Sequence, residues 1–130
     1  MTRTKPLIAV VDDDESVNRA LDRLLHSLGM DTQTFASGTE FLSFLEATPL
    51  FDPDCVVLDL HMPGLTGLDV QERLSERTHP PSVIFITAHD ETSARERALQ
   101  GGAVAFLHKP VSEEVLMRML DEALRRRSEP

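Results

Sequence analysis

Three carboxylates, a hydroxyl and an ammonium stand at the ends of four short apolar runs. Asp12 and Asp13 close Leu7-Ile8-Ala9-Val10-Val11, and Asp59 closes Cys55-Val56-Val57-Leu58. Thr87 closes Val83-Ile84-Phe85-Ile86, and the pair Lys109-Pro110 follows Val104-Ala105-Phe106-Leu107 and one histidine. Near-continuous apolar runs of this length fit strands of a sheet covered on both faces. In an open α/β sheet the ligand site lies outside the carboxyl ends of the strands. The five polar groups are therefore expected to converge at one end of the sheet. Carboxylates, a hydroxyl and an ammonium in one place suit a divalent cation beside a phosphoryl group.

The acids carry most of that inference. Two like charges about 6 Å apart repel by roughly 3 kcal/mol at an effective dielectric near 20. Asp12, Asp13 and Asp59 crowded together thus strain the domain unless a cation joins them. Oxygen donors with no His or Cys beside them favour Mg²⁺ over zinc. Asp14, the next residue, reads instead as the N-cap of the following helix.

Around these groups, apolar runs alternate with amphipathic stretches. Strands are expected over residues 7–12, 31–35, 54–59, 83–87 and 104–108, the second polar and at an edge. Helices are expected over 15–28, 38–47, 67–77, 92–100 and 112–127. In the first, Val17, Leu21, Leu24, Leu25 and Leu28 share one face, and Gly29 follows as a stop. Ser37 with Glu40, and Thr66 with Asp69, form capping-box patterns. Gly101-Gly102 ends the fourth helix. Ser112 caps the fifth, whose apolar face is Val115, Leu116, Met119, Leu120 and Ala123. Five strand–helix units predict an α/β fold: a doubly wound parallel sheet flanked by helices, with right-handed crossovers.

The chain of 130 residues is expected to be one domain. A net charge of −9 argues against a nucleic-acid-binding surface. Arg125-Arg126-Arg127 reads as a favourable cationic end to the last helix. The single cysteine, Cys55, allows no internal disulfide and reads as a core residue in a reducing compartment. With no signal peptide and no apolar run near the membrane-spanning length of about 18 residues, a cytoplasmic location is expected.

Four motifs, in order and each at a strand end, resemble those of a response-regulator receiver domain. They are Val10-Val11-Asp12-Asp13-Asp14-Glu15, Leu58-Asp59-Leu60-His61-Met62-Pro63-Gly64-Leu65-Thr66-Gly67, Ile86-Thr87-Ala88 and Phe106-Leu107-His108-Lys109-Pro110. The resemblance covers residues 7 to about 124. It implies a CheY-like (flavodoxin-like) fold with strand order 2-1-3-4-5, five strands and five helices. It implies that Asp59 accepts a phosphoryl group from a sensor histidine kinase. Asp13 and Asp59 would bind Mg²⁺ directly with the backbone carbonyl of His61, and Asp12 through metal-bound water. Thr87 and Lys109 would hold phosphoryl oxygens, and Lys109-Pro110 would be cis. Phe106 would turn inward into space vacated by Thr87, switching a face made of the fourth helix, fifth strand and fifth helix. The domain would be a signalling phosphoacceptor rather than an enzyme with a separate substrate.

Details such as Phe85-Ile86-Thr87-Ala88-His89 look most like the FixJ-type branch, which usually carries a C-terminal DNA-binding domain. The chain ends at Pro130, about where a receiver ends, so one receiver domain and no output domain is expected within it. The downstream partner is then a separate protein or a missing output domain. The charged fourth helix leaves little apolar surface, so at most a weak homodimer is expected through that face. His61 and His89 lie two residues after Asp59 and Thr87, where receivers influence hydrolysis of the phosphoryl group. Two imidazoles there read first as solvated loop side chains; the sharper reading is that they make its lifetime depend on pH between about 6 and 7.5. His26, His79 and His108 carry no argument for a site.

Two other functions compete for these residues. A Mg²⁺-dependent phosphatase of the haloacid-dehalogenase type would use Asp12 and Asp14 after the first strand. It leaves Asp59 without a role and has only Asp90-Glu91 for its late acidic pair. A pseudo-receiver serving interaction alone has no need of the complete acidic, hydroxyl and lysine set.

Overall fold

The computed structural model describes residues 5–89 and 91–129. Strands and helices alternate as β1 (Leu7–Val11), α1 (Glu15–Ser27), β2 (Asp31–Phe35), α2 (Gly38–Ala47), β3 (Cys55–Asp59), α3 (Gly67–Ser75), β4 (Ser82–Thr87), α4 (Thr92–Gln100), β5 (Ala105–His108) and α5 (Glu113–Ser128). All neighbouring strands pair in parallel, in the order β2-β1-β3-β4-β5. The order reverses beside β1, which has β2 on one side and β3 on the other. That reversal opens a crevice at the carboxyl ends of β1 and β3.

Side chains alternate across each strand, so one sequence run feeds two cores. Ile8, Val10, Cys55, Val57, Ile84 and Ile86 pack with Leu21 and Leu25 of α1 and Leu116, Leu120 and Ala123 of α5. Ala9, Val11, Val56, Leu58 and Phe85 face the other way, onto Phe41 of α2, Val70 and Leu74 of α3, and Ala94 and Ala98 of α4. β2 is an edge strand as its polarity predicts, and within it only Phe35 is buried. Phe35 gathers the rings of Phe41, Phe44 and Phe51 around itself at 5.2–6.0 Å. Cys55 is fully buried, and burial pushes its thiol pKa upward, as befits an inert core residue.

The helix starts follow the sequence closely. Asp14 caps α1 by accepting from Ser16 N. Thr66 and Asp69 make the reciprocal capping box of α3, and Ser112 caps α5 by accepting from Val115 N. The box at α2 is different: Ser37 accepts from Glu40 N, but Glu40 reaches one residue further back, to Ala36 N. α3 stops at Ser75 rather than 77, with Glu76 as its C-cap. Asp54 lies outside β3, its carboxylate accepting from Leu7 N at 2.9 Å.

The arginine run requires a correction. Arg125 and Arg126 do remain at the helix surface, paired with Glu122. Arg127 does not. It falls on the buried stripe of Leu116, Leu120 and Ala123, and its side chain is only 7% exposed. The guanidinium donates to Asp52 at 2.8 Å, Asp54 at 3.2 Å and the carbonyl of His79 at 2.9 Å. His79 Nε2 bonds the Arg127 carbonyl in return. Helical spacing places Arg127 under the sheet, so it ties the end of α5 to the entry of β3. No helix among the described residues is long and apolar enough to cross a membrane.

Candidate functional site

The strand register brings the expected residues level. Val11 pairs with Leu58, so Asp12 and Asp59 follow at the same height. Asp59 pairs with Ile86, one residue before Thr87, and Thr87 pairs with His108, one before Lys109. Lys109 N donates to the Thr87 carbonyl at 2.8 Å, so the end of β5 is tied to the end of β4. Lys109-Pro110 is cis, as expected.

Carboxylate oxygens of Asp12, Asp13 and Asp59 lie within 4.8 Å of one another. Asp12 is fully buried, Asp59 is 4% exposed, and Asp13 lies open at the rim. The Lys109 ammonium sits 2.8 Å from Asp12 and 3.6 Å from Asp59. Burial works against its charge, yet the hydrogen bond and attraction of Asp12, and then Asp59, raise its pKa overall. Asp59 is raised from 3.8 to about 6, first by burial and then by the charge of Asp12, with Lys109 pulling the other way. Thr87 is fully buried, and its hydroxyl accepts from His89 N at 3.1 Å.

These donors fit a hard cation. Oxygens opposite one another around Mg²⁺ stand about 4.2 Å apart. Three carboxylates spread over as much as 4.8 Å suit one or two direct ligands, with the remainder reached through water. One lysine faces three acids, so negative charge remains for a cation to offset. Asp12, Asp13 and Asp59 form the one such cluster among the described residues.

Two supporting residues have no role assigned from the sequence, although Gly67 closes one of the motifs. Asn18 is the polar member of the buried stripe of α1. Its amide donates to the carbonyls of Asp12 at 2.8 Å and Phe35 at 3.2 Å, pinning the first loop to the end of β2. Its place beside Val17 and three residues before Leu21 was the clue. Gly67 opens α3 directly against β3. A Cβ there would lie 2.5 Å from the Asp59 carbonyl and 2.8 Å from Phe85, so only glycine lets the helix approach.

Phe106 is buried beside Phe85, with ring centroids 6.0 Å apart, on the sheet face that Thr87 also shares. His61 and His89 meet edge to face at 5.3 Å. His61 Nε2 also lies 3.0 Å from Glu91 Oε1. Asp90, weighed for the phosphatase reading, lies outside the described residues.

Comparison with known proteins agrees with this fold. Residues 8–121 match the family model described as the response regulator receiver domain. Nodulation protein W of Bradyrhizobium diazoefficiens is 40% identical over 114 residues, which are 88% of this chain and 49% of that protein. The transcriptional regulatory protein FixJ of the same organism is 35% identical over 94% of this chain and 58% of its own length. The chain thus spans about half the length of the curated relatives it matches. A response regulator receiver protein from Burkholderia phymatum superposes with a TM-score of 0.83 at 50% identity, covering 93% of this chain and 96% of that one. The chain belongs to the response regulator receiver family. Its sheet order and helices are those of the CheY-like fold, and receivers serve two-component signalling. The phosphatase and pseudo-receiver alternatives gain no support from these likenesses.

Proposed function

We propose that Asp59 is the phosphoacceptor of a two-component phosphorelay and takes its phosphoryl group from a sensor histidine kinase. The observation that carries this is a buried carboxylate at a strand end, with two further acids and the Lys109 ammonium around it. Asp13, Asp59 and the His61 carbonyl would hold Mg²⁺, with Asp12 acting through water. Bound there, the ion would supply positive charge to the phosphoryl oxygens. An Asp59 oxygen forms a bond to phosphorus as the phosphorus–nitrogen bond of the donor histidine breaks. Phosphoryl transfer asks mainly for positioning and charge neutralisation. Lys109 offers a compact positive charge beside Asp59, and Thr87 a hydroxyl that accepts from His89 N and keeps its own hydrogen to donate. The acyl phosphate that forms is reactive, which suits a reversible signal.

The readout follows from the same groups. Thr87 moving toward the phosphoryl group leaves space on the face occupied by Phe106, and a buried ring beside such a space is a bistable packing element. The output surface is then α4, β5 and α5. On that side α4 buries only Ala94 and Ala98, while Leu99 and Met117 stay exposed. So little apolar area supports a weak homodimer at most. The 130 residues act as one receiver unit in the cytoplasm, signalling to a separate protein or to an attached output domain. A net charge of −9 speaks against nucleic acid as the direct ligand of this domain.

Beryllofluoride, a phosphoryl mimic, tests the acceptor. Fluorine resonance should show a bound species that requires Mg²⁺ and vanishes in Asp59→Asn. A bound species that persists in that variant would contradict the assignment.

A further inference from the structure

Glu91 stands at the start of α4 in the N-cap position, yet its side chain makes no cap hydrogen bond. It spends that carboxylate elsewhere, on His61 Nε2 at 3.0 Å. His61 belongs to the loop leaving Asp59, and Glu91 to the loop leaving Thr87. Between the β3–α3 loop and the start of α4 lies an open cleft of about 270 Å³, lined by His61 and Thr66 on one side and Glu91 and Arg97 on the other. The contact between His61 and Glu91 spans that cleft. Three contacts run in series: the Thr87 hydroxyl to His89 N, the His89 ring to the His61 ring, and His61 to Glu91. Glu91 holds the outer end.

We propose that Glu91 is a positioning residue that straps the two loops together beside the phosphoryl group and so sets how long that group survives. The proposal rests on Asp59 being the acceptor. In the loss step, water adds to phosphorus and the bond from the Asp59 oxygen to phosphorus breaks. Orthophosphate leaves, Asp59 returns as a carboxylate, and the proton of the water passes to phosphate or solvent. A strapped mouth limits the approach of water to phosphorus. Glu91 acts through His61 and touches no reacting atom. The contact needs only a hydrogen on Nε2, which the neutral ring can provide.

The test uses the full chain with Mg²⁺, loaded with phosphoramidate, freed of donor and followed by intact mass as the adduct decays. Glu91→Ala should shorten the lifetime by about three- to tenfold. Glu91→Gln keeps an oxygen that accepts from Nε2 and should stay within about twofold of the parent. His61→Ala removes the same contact from the other side and should also shorten it. The double variant should decay no faster than His61→Ala, which also loses the ring contact to His89, because the shared contact is lost only once. The melting temperature of Glu91→Ala should be close to that of the parent, since no side-chain cap bond is removed. An unchanged lifetime in Glu91→Ala, a Glu91→Gln as fast as Glu91→Ala, or additive single effects would each overturn the strap. Absence of both an adduct and a beryllofluoride-bound species in the parent would instead overturn the acceptor reading, and the strap with it.

Discussion

Asp59 carries a charge that its surroundings resist. Its pKa is raised from 3.8 to about 6, mainly by burial and by Asp12. Below the unfolded value the group is protonated in both states and costs nothing. As pH rises through the folded value, the native protein surrenders a proton it holds more tightly than the unfolded chain does, and stability is lost. In metal-free buffer above pH 7, Asp59→Asn should therefore be more stable than the parent. The gain should be on the order of 1–2 kcal/mol, because the open mouth of the site lets water screen the repulsion. The difference should close as pH falls toward 4. The chain has no Trp or Tyr, so far-ultraviolet circular dichroism is the natural readout. A gain that stays constant across pH would show that Asp59 is not repelled. Asp13 shares the cluster but lies at the solvent edge, so Asp13→Ala should raise the apo melting temperature by less. The cluster was legible in the sequence because every member follows an apolar run. Asn18 was not, since a single amide on an apolar helix face gives no hint of which carbonyls it will meet.

At the scale of elements, local signals sufficed wherever the partner was local. Asp14, Thr66 and Ser112 cap helices from fixed offsets, and the polarity of residues 31–35 marks an edge. Long-range partners were out of reach. Arg127 looked like one of three cations at a helix end, but its ligands Asp52 and Asp54 lie more than 70 residues away in the chain. The periodicity of Leu116, Leu120 and Ala123 was the available clue that Arg127 faces inward. Its guanidinium also fastens α5 beneath the sheet, opposite the acidic site. Arg127→Ala should cost roughly 1–3 kcal/mol, read from urea unfolding, because it removes a buried guanidinium that bonds Asp52, Asp54 and the His79 carbonyl at once. Arg125→Ala, at an exposed pair, should cost less than about 0.5 kcal/mol. Equal effects of the two would show that the tie under the sheet contributes nothing particular.

For the whole molecule, the sheet order puts the crevice where β1 and β3 diverge, and four strand ends deliver the acids, hydroxyl and ammonium to it. The fold supplies rigidity at those ends; the loops that follow them supply the chemistry and the freedom to change. Incubation with acetyl phosphate and Mg²⁺, read by intact mass, is the most direct measurement of the central claim. The parent should gain about 80 Da, stable in acid and labile in base, and Asp59→Asn should gain nothing. A parent that neither gains that mass nor takes up beryllofluoride, or an Asp59→Asn that gains it equally, would contradict Asp59 as the phosphoacceptor.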